Sequence, residues 1–237
     1  MALDALFFGA HPDDVELTSG GLAALLASHG HAVGIADLTR GEAGTRGDAS
    51  ERAAESAAAA RVLGAAWRGA LGLPDLGIAR GDRAQLRAVV ACLREHRPRL
   101  VVAPHADDAH PDHVEASHLV ARACYIAGLA GFEAPGERHR PGRALFALYR
   151  SAAPPHLVVD VSAVWERRME ALRMHASQLE PGRGPATYLT APEFLLEVES
   201  RARAFGALIG ARFGEGYRMR GPVPVADARA LLAGGAR

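Results

Sequence analysis

The amino-acid sequence predicts an α/β protein, a mostly parallel sheet with helices on both faces. Three observations predict it. Short apolar runs alternate with helical stretches through the first half, the pattern of strand–helix–strand units. The chain has 237 residues and no obvious linker, which suits one large domain over residues 1–237. Hydrophobic residues make up 49% against 23% charged, enough to fill a sizeable core and too apolar for disorder.

Taken in order, Ala5–Ala10 is a first apolar strand and Gly20–Ser28 is helical in pattern. Ala32–Leu38 reads as a second strand, closed by a loop at Thr39–Asp48, before an alanine-rich helix at Ser50–Leu63. Arg68–Leu73 is a weak third strand stopped by Pro74; Asp82–Glu95 is helical; Leu100–Ala103 is a buried strand stopped by Pro104. A helix from about His113 to Ala127 completes the regular half. Beyond it, residues 132–143 read as loop, and Leu145–Tyr149 and Leu157–Val161 as strands. A helix follows at Ser162–His175, which Ser162 could cap with Glu166 close behind. A polar segment at Glu180–Gly184 precedes a last long helix at Ala191–Ala211. This Rossmann-like order points to the loops after the first and fourth strands, because ligands bind beyond the carboxyl ends of such strands where strand order switches.

Composition removes several chemistries. Basic and acidic residues balance at 27 each, which gives no footprint for a nucleic-acid backbone or an anionic membrane. Every basic residue is arginine and asparagine is absent too, so a Schiff-base lysine, a P-loop lysine and an N-glycosylation sequon are excluded. Cys92 and Cys124 lack zinc-ligand spacing and read as small core residues. The N-terminus lacks a basic n-region and no apolar stretch spans a bilayer, so a cytoplasmic location is expected.

The two loops carry the signal. The first reads Gly9-Ala10-His11-Pro12-Asp13-Asp14-Val15-Glu16, the second His105-Ala106-Asp107-Asp108-Ala109-His110-Pro111-Asp112-His113. Each holds a His-Pro-Asp core after a buried strand. Proline suits a first helical position, and a three-residue separation lets His11 with Asp14, and His110 with His113, face one way. Adjacent carboxylates would repel a pyrophosphate, so the loop is wrong for a dinucleotide. Imidazoles and carboxylates converging at strand ends suit a divalent metal, and a mixed N/O set without thiolates fits zinc. A lone histidine is more often a cap or a solvated group, which is the reading for His29, His31, His96, His118, His139 and His156. His105, Asp107 and Asp108 read as supporting or surface residues.

These motifs resemble those of the LmbE-like, or PIG-L-like, deacetylase family, whose signatures A-H-P-D-D and H-P-D-H both stand here intact. Gly9–Gly21, Asp37–Gly47 with Arg52, Leu71–Asp75, Ser177-Gln178 and Phe213-Gly214-Glu215 are similar to the branch that acts on N-acetylglucosaminyl malate in the bacillithiol pathway. The resemblance implies zinc held by His11, Asp14 and His113. It implies Asp13 as general base, His110 as the oxyanion partner and Asp112 as the orienter that keeps His110 protonated. It also implies substrate contacts from Arg52, Arg140 and Tyr188, the arginine fork matching a carboxylate. A small amino-sugar substrate and a homo-oligomeric assembly are expected, with neither nucleic acid nor membrane as partner. Another acetylated conjugate, inositol-linked or thiol-bearing, would use the same machinery. A receiver-like acidic pocket is opposed by the missing lysine, and an inactive sugar-binding domain by the complete ligand and base set.

Overall fold

A computed structural model describes residues 1–222; residues 223–237, the tail of the expected single domain, lie outside the described residues. The elements are β1 (Ala5–Gly9), α1 (Asp14–Thr18), α2 (Gly20–Ser28), β2 (Val33–Asp37), α3 (Ala49–Leu63), β3 (Trp67–Ala70), α4 (Arg83–His96) and β4 (Leu100–Pro104). They continue with α5 (Pro111–Ile126), β5 (Arg143–Ala147), β6 (Leu157–Asp160), α6 (Trp165–Arg173), α7 (Ala176–Leu179), α8 (Phe194–Ile209) and β7 (Gly214–Met219).

The seven strands form one sheet in the order β3-β2-β1-β4-β5-β7-β6, parallel except for β7, which runs against both neighbours. Strand β1 shows why its run is wholly apolar. Ala5 and Phe7 enter the core under α2, α3, α6 and α8, while Leu6 and Phe8 enter the core under α4 and α5. Both faces are buried, as parallel sheets require. The chain steps from β1 to β2 on one side and resumes at β4 on the other, so the switch point lies between the carboxyl ends of β1 and β4.

Capping explains most boundaries. Asp48 accepts from Ser50 and Glu51 N–H at the start of α3, and Asp82 accepts from Ala84 and Gln85 N–H at the start of α4. Ser162 does not cap as expected: its hydroxyl donates to the Phe213 carbonyl, and a 3-10 turn over Ser162–Val164 leads into α6 instead. Strand β7 is not expected from the sequence. Its Gly-Glu-Gly-Tyr-Arg-Met run has neither alternation nor β-branched residues, because the strand is fitted to its neighbours by glycines and one buried acid. A Cβ on Gly216 would meet the Phe205 ring at 2.6 Å. Glu215 accepts from Gly21 and Leu22 N–H at 2.7 and 2.8 Å and from the Tyr217 hydroxyl, tying β7 to the first turn of α2. Both cysteines are free, and burial pushes each thiol up to about 12. Among the described residues no helix is long and apolar enough to cross a membrane.

Candidate active site

The two His-Pro-Asp loops meet at the switch point and line one side of a cleft of about 550 Å³, a size suited to a small molecule. In the first loop Pro12 does not open a helix, contrary to expectation. Asp13 intervenes at φ 108, a left-handed conformation that is strained for a residue with a Cβ, and α1 begins at Asp14. The Asp14 carboxylate accepts from His11 N–H at 2.8 Å, which closes the turn. In the second loop Pro111 does occupy the first helical position, with His110 as the cap of α5.

His11, Asp14 and His113 lie side by side at the cleft. Asp14 Oδ2 lies 3.5 Å from His11 Nδ1, and Asp14 Oδ1 lies 3.2 Å from His113 Nε2. Ligands about 2.0–2.2 Å from a tetrahedral ion stand roughly 3.3 Å apart, so each of these two separations is of the size found between ligands of a shared ion. On the far side of its ring, His113 Nδ1 faces Asp108 Oδ2 at 3.1 Å, an arrangement that fixes the ring and leaves Nε2 toward the metal position. His11, His110 and His113 also offer ligand atoms within 4.8 Å of one another, as do His11, Asp75 and Asp112. The donor set fits a divalent ion.

The electrostatics follow the crowding. Burial works against a charge on His11, but the Asp14 hydrogen bond and negative charge outweigh it and raise the imidazole to about 9. His113 is raised in the same way, against burial, by Asp14 and Asp108. Asp14, despite burial, is held well below the usual carboxylate range by His113 and His11. Burial pushes Asp13 up to about 6, opposed chiefly by Arg52 and reinforced by the Asp14 charge. Burial, followed by the charges of His113 and His11, lowers His110.

Burial and the charges of His113 and His11 lower the His110 ring overall, although the Asp112 charge favours its protonated form. The Asp112 carboxylate accepts from Leu76 N–H at 2.8 Å and lies 3.4 Å from His11 Nε2. What orients His110 is the backbone of α5: Asp112 N–H donates to His110 Nδ1 at 3.2 Å. A helix start has N–H groups without partners, and the His110 ring supplies one. With Nδ1 accepting, the proton of the neutral ring sits on Nε2, so His110 is a donor without being charged.

The three expected substrate contacts fare differently. Arg52 lines the cleft but is buried, its Nη1 and Nη2 donating to the Gly41 and Pro12 carbonyls, with Asp13 Oδ1 3.6 Å away. Gly41 sits at φ 68 and has no side chain where the guanidinium passes. Arg140 is absent from the cleft lining; it stacks on Tyr125, 4.4 Å from the ring centroid, and bonds the Tyr125 carbonyl. Tyr188 lines the cleft.

Sequence reasoning missed Asp75, Arg150 and the pair under the first loop. Asp75 reaches His11 Nε2 at 3.1 Å and was visible only as part of Leu-Pro-Asp. Arg150 follows the fifth strand into the lining with no motif to mark it. Glu16, fully buried, accepts from Arg68 at 2.5 Å and lies 3.5 Å from His175, which is itself fully buried. Burial alone would raise Glu16, yet Arg68 and His175 hold it down at about 2.

The chain has known relatives. A family model described as PIG-L, GlcNAc-PI de-N-acetylase, matches residues 6–124, which hold both loops. A 1D-myo-inositol 2-acetamido-2-deoxy-alpha-D-glucopyranoside deacetylase of Rhodococcus erythropolis is 34% identical, the match covering 56% of this chain and 56% of that one. The chain thus spans little more than half the length of that relative. A diacetylchitobiose deacetylase of Thermococcus kodakarensis is 29% identical over 88% of this chain and 79% of its own. A conserved protein from Thermus thermophilus superposes with a TM-score of 0.85 at 36% identity, covering 95% of this chain and 97% of that one.

Proposed function

The chain belongs to the PIG-L family of GlcNAc-PI de-N-acetylases, and we propose that it hydrolyses the acetamide of an N-acetylglucosaminyl conjugate to acetate and the free amine. The observation that carries this reading is the pairing of two environments at one switch point. A carboxylate clamped between two imidazoles, Asp14 between His11 and His113, adjoins a buried carboxylate, Asp13, that they leave free.

His11, Asp14 and His113 would hold a divalent ion, zinc by the chemistry of the donor set. When bound, such an ion supplies Lewis-acid chemistry, polarising the amide carbonyl and lowering the pKa of water. The chain's own groups do the rest. Asp13 accepts the proton of the attacking water at its carboxylate, with Arg52 alongside to hold that carboxylate in place. His110, fixed through Nδ1 by the start of α5, donates from Nε2 to the oxygen that gains charge as the carbonyl becomes tetrahedral. Asp13 then returns its proton to the departing nitrogen, and the products are acetate and an amino sugar.

For the aglycone we propose malate, on the similarity of Asp37–Gly47 and the neighbouring motifs to the malate-conjugate branch. A cytoplasmic location and a homo-oligomeric assembly belong to the same proposal. The test is direct: N-acetylglucosaminyl malate, an inositol-linked N-acetylglucosaminide and diacetylchitobiose are each incubated with zinc-loaded protein, and acetate and primary amine are counted. Equimolar acetate and amine, fastest from the malate conjugate, is the expected result. Amine released from none of them overturns the reading, and a faster inositol conjugate overturns the malate assignment alone.

A further inference from the structure

The cleft lining is acidic at its metal end, with Asp13, Asp14, Asp75 and Asp108, and it contains two guanidinium groups, Arg52 and Arg150. They are not equivalent. Arg52 spends its outer nitrogens on two backbone carbonyls. Arg150 makes no hydrogen bond to any described residue; its guanidinium carbon lies 3.9 Å from the centroid of the Tyr188 ring, stacked as a cation over the π face.

Its acidic neighbour is already taken. Glu197 Oε1 accepts from Arg201 Nη2 at 2.5 Å, and Glu197 Oε2 accepts from the Tyr188 hydroxyl. Arg150 Nε stands 3.8 Å from Oε1, near enough to feel the charge and too far to bond it. Two guanidinium groups therefore share one carboxylate, and a positive charge is left over at the cleft wall. The Arg150 side chain is 36% exposed, so this charge is reached by solvent and by a ligand.

We propose that Arg150 is the specificity-determining residue of the cleft and binds a carboxylate on the aglycone of the conjugate, with Tyr188 as the platform that holds its fork flat. A planar guanidinium with free outer N–H groups matches a carboxylate through two parallel bonds. Stacking on Tyr188 removes much of the rotamer freedom that binding would otherwise cost. The inference rests on the hydrolase reading for its substrate. It moves the carboxylate contact from Arg52 and Arg140, which the resemblance implied, to a residue that no motif marks.

The experiment compares N-acetylglucosaminyl malate with its dimethyl ester, which keeps the size and removes the charge. The kcat/KM ratio of acid to ester is measured for wild type, Arg150→Gln, Arg150→Lys and Glu197→Gln, and calorimetry measures binding of the deacetylated malate glycoside. Arg150→Gln is expected to lower the ratio about tenfold, chiefly through KM, and to weaken the glycoside by a similar factor. Arg150→Lys should fall between, and Glu197→Gln should raise the ratio by freeing the shared charge. A ratio and an affinity that Arg150→Gln leaves unchanged overturn the proposal. If wild type releases acetate from neither compound, the hydrolase reading fails, and calorimetry still decides: binding lost in Arg150→Gln upholds the carboxylate site, and equal binding refutes it.

Discussion

The segments His11–Glu16 and His110–Glu115 read His-Pro-Asp-Asp-Val-Glu and His-Pro-Asp-His-Val-Glu, five identities in six, yet the fold uses them in opposite ways. The second is a regular helix start. His110 caps α5 through its ring, Pro111 opens the helix, and Glu115 lies near the surface, paired with Arg80 at 2.8 Å. The first is bent: Asp13 is left-handed, the helix it leads is five residues long, and Glu16 is sealed under the loop against Arg68. The difference teaches that the tripeptide alone does not decide the backbone. A long helix packed over β4 holds the second loop in the regular form, whereas Arg52 and the Asp14 carboxylate hold the first in a costlier one that brings Asp13 to the cleft.

The largest expected effect separates the roles of equivalent positions. Asp13→Asn should retain zinc and lower turnover on the order of a hundredfold to ten-thousandfold, as loss of a general base does. Asp14→Asn, one residue on, should lose zinc, because it removes the carboxylate between the two imidazoles. Elemental analysis and turnover on the same samples check both, and the reverse pattern exchanges the two aspartates.

Next in size, His110→Asn sharpens the contrast between capping and chemistry. Asparagine is a good helix cap, so thermal stability should stay within about 1 kcal/mol of wild type. Turnover should nevertheless drop about a hundredfold, because the oxyanion donor is displaced. A variant that keeps its activity would show that this ring serves only the helix.

The two glutamates test burial against exposure. Glu16→Gln breaks a buried pair with Arg68 and should cost about 3 kcal/mol, while Glu115→Gln should cost under about 1 kcal/mol. The sign with pH follows from the depressed value of Glu16. Its contribution is present above the ordinary carboxylate value of 4.5 and is lost as pH falls from there toward about 2. Denaturant unfolding of wild type and Glu16→Gln across that range should show the two stabilities converging at the acid end. Smallest of all, Asp13→Gly should raise stability by about 1 kcal/mol by relieving the left-handed residue while removing the base. A decrease would mean that the Arg52 contact outweighs the strain.

How much of this was legible in the sequence divides along the same line. The parallel half of the sheet was readable because both faces of β1, β2 and β4 are buried and leave apolar runs. The closeness of His11, Asp14 and His113 was readable because all three sit in local motifs. Strand β7 was not, since its place is fixed by Glu215 on α2 and by glycines under Phe205, contacts between distant segments. Asp75, His175 and Arg150 were missed for that reason too: each reaches the site by tertiary packing, with no local spacing to reveal it. The bond from Asp112 N–H to the His110 ring was not legible either, since the resemblance offered the Asp112 side chain and a backbone contact leaves no mark in a motif.

The central claim is that the clamped carboxylate and its two imidazoles hold the ion on which amide hydrolysis depends. Its most direct test is a titration of metal-free protein with zinc, following acetate release from N-acetylglucosaminyl malate at each addition. The account predicts no release before zinc, a linear rise, and a plateau at one ion per chain. Full acetate release from the metal-free protein would contradict it.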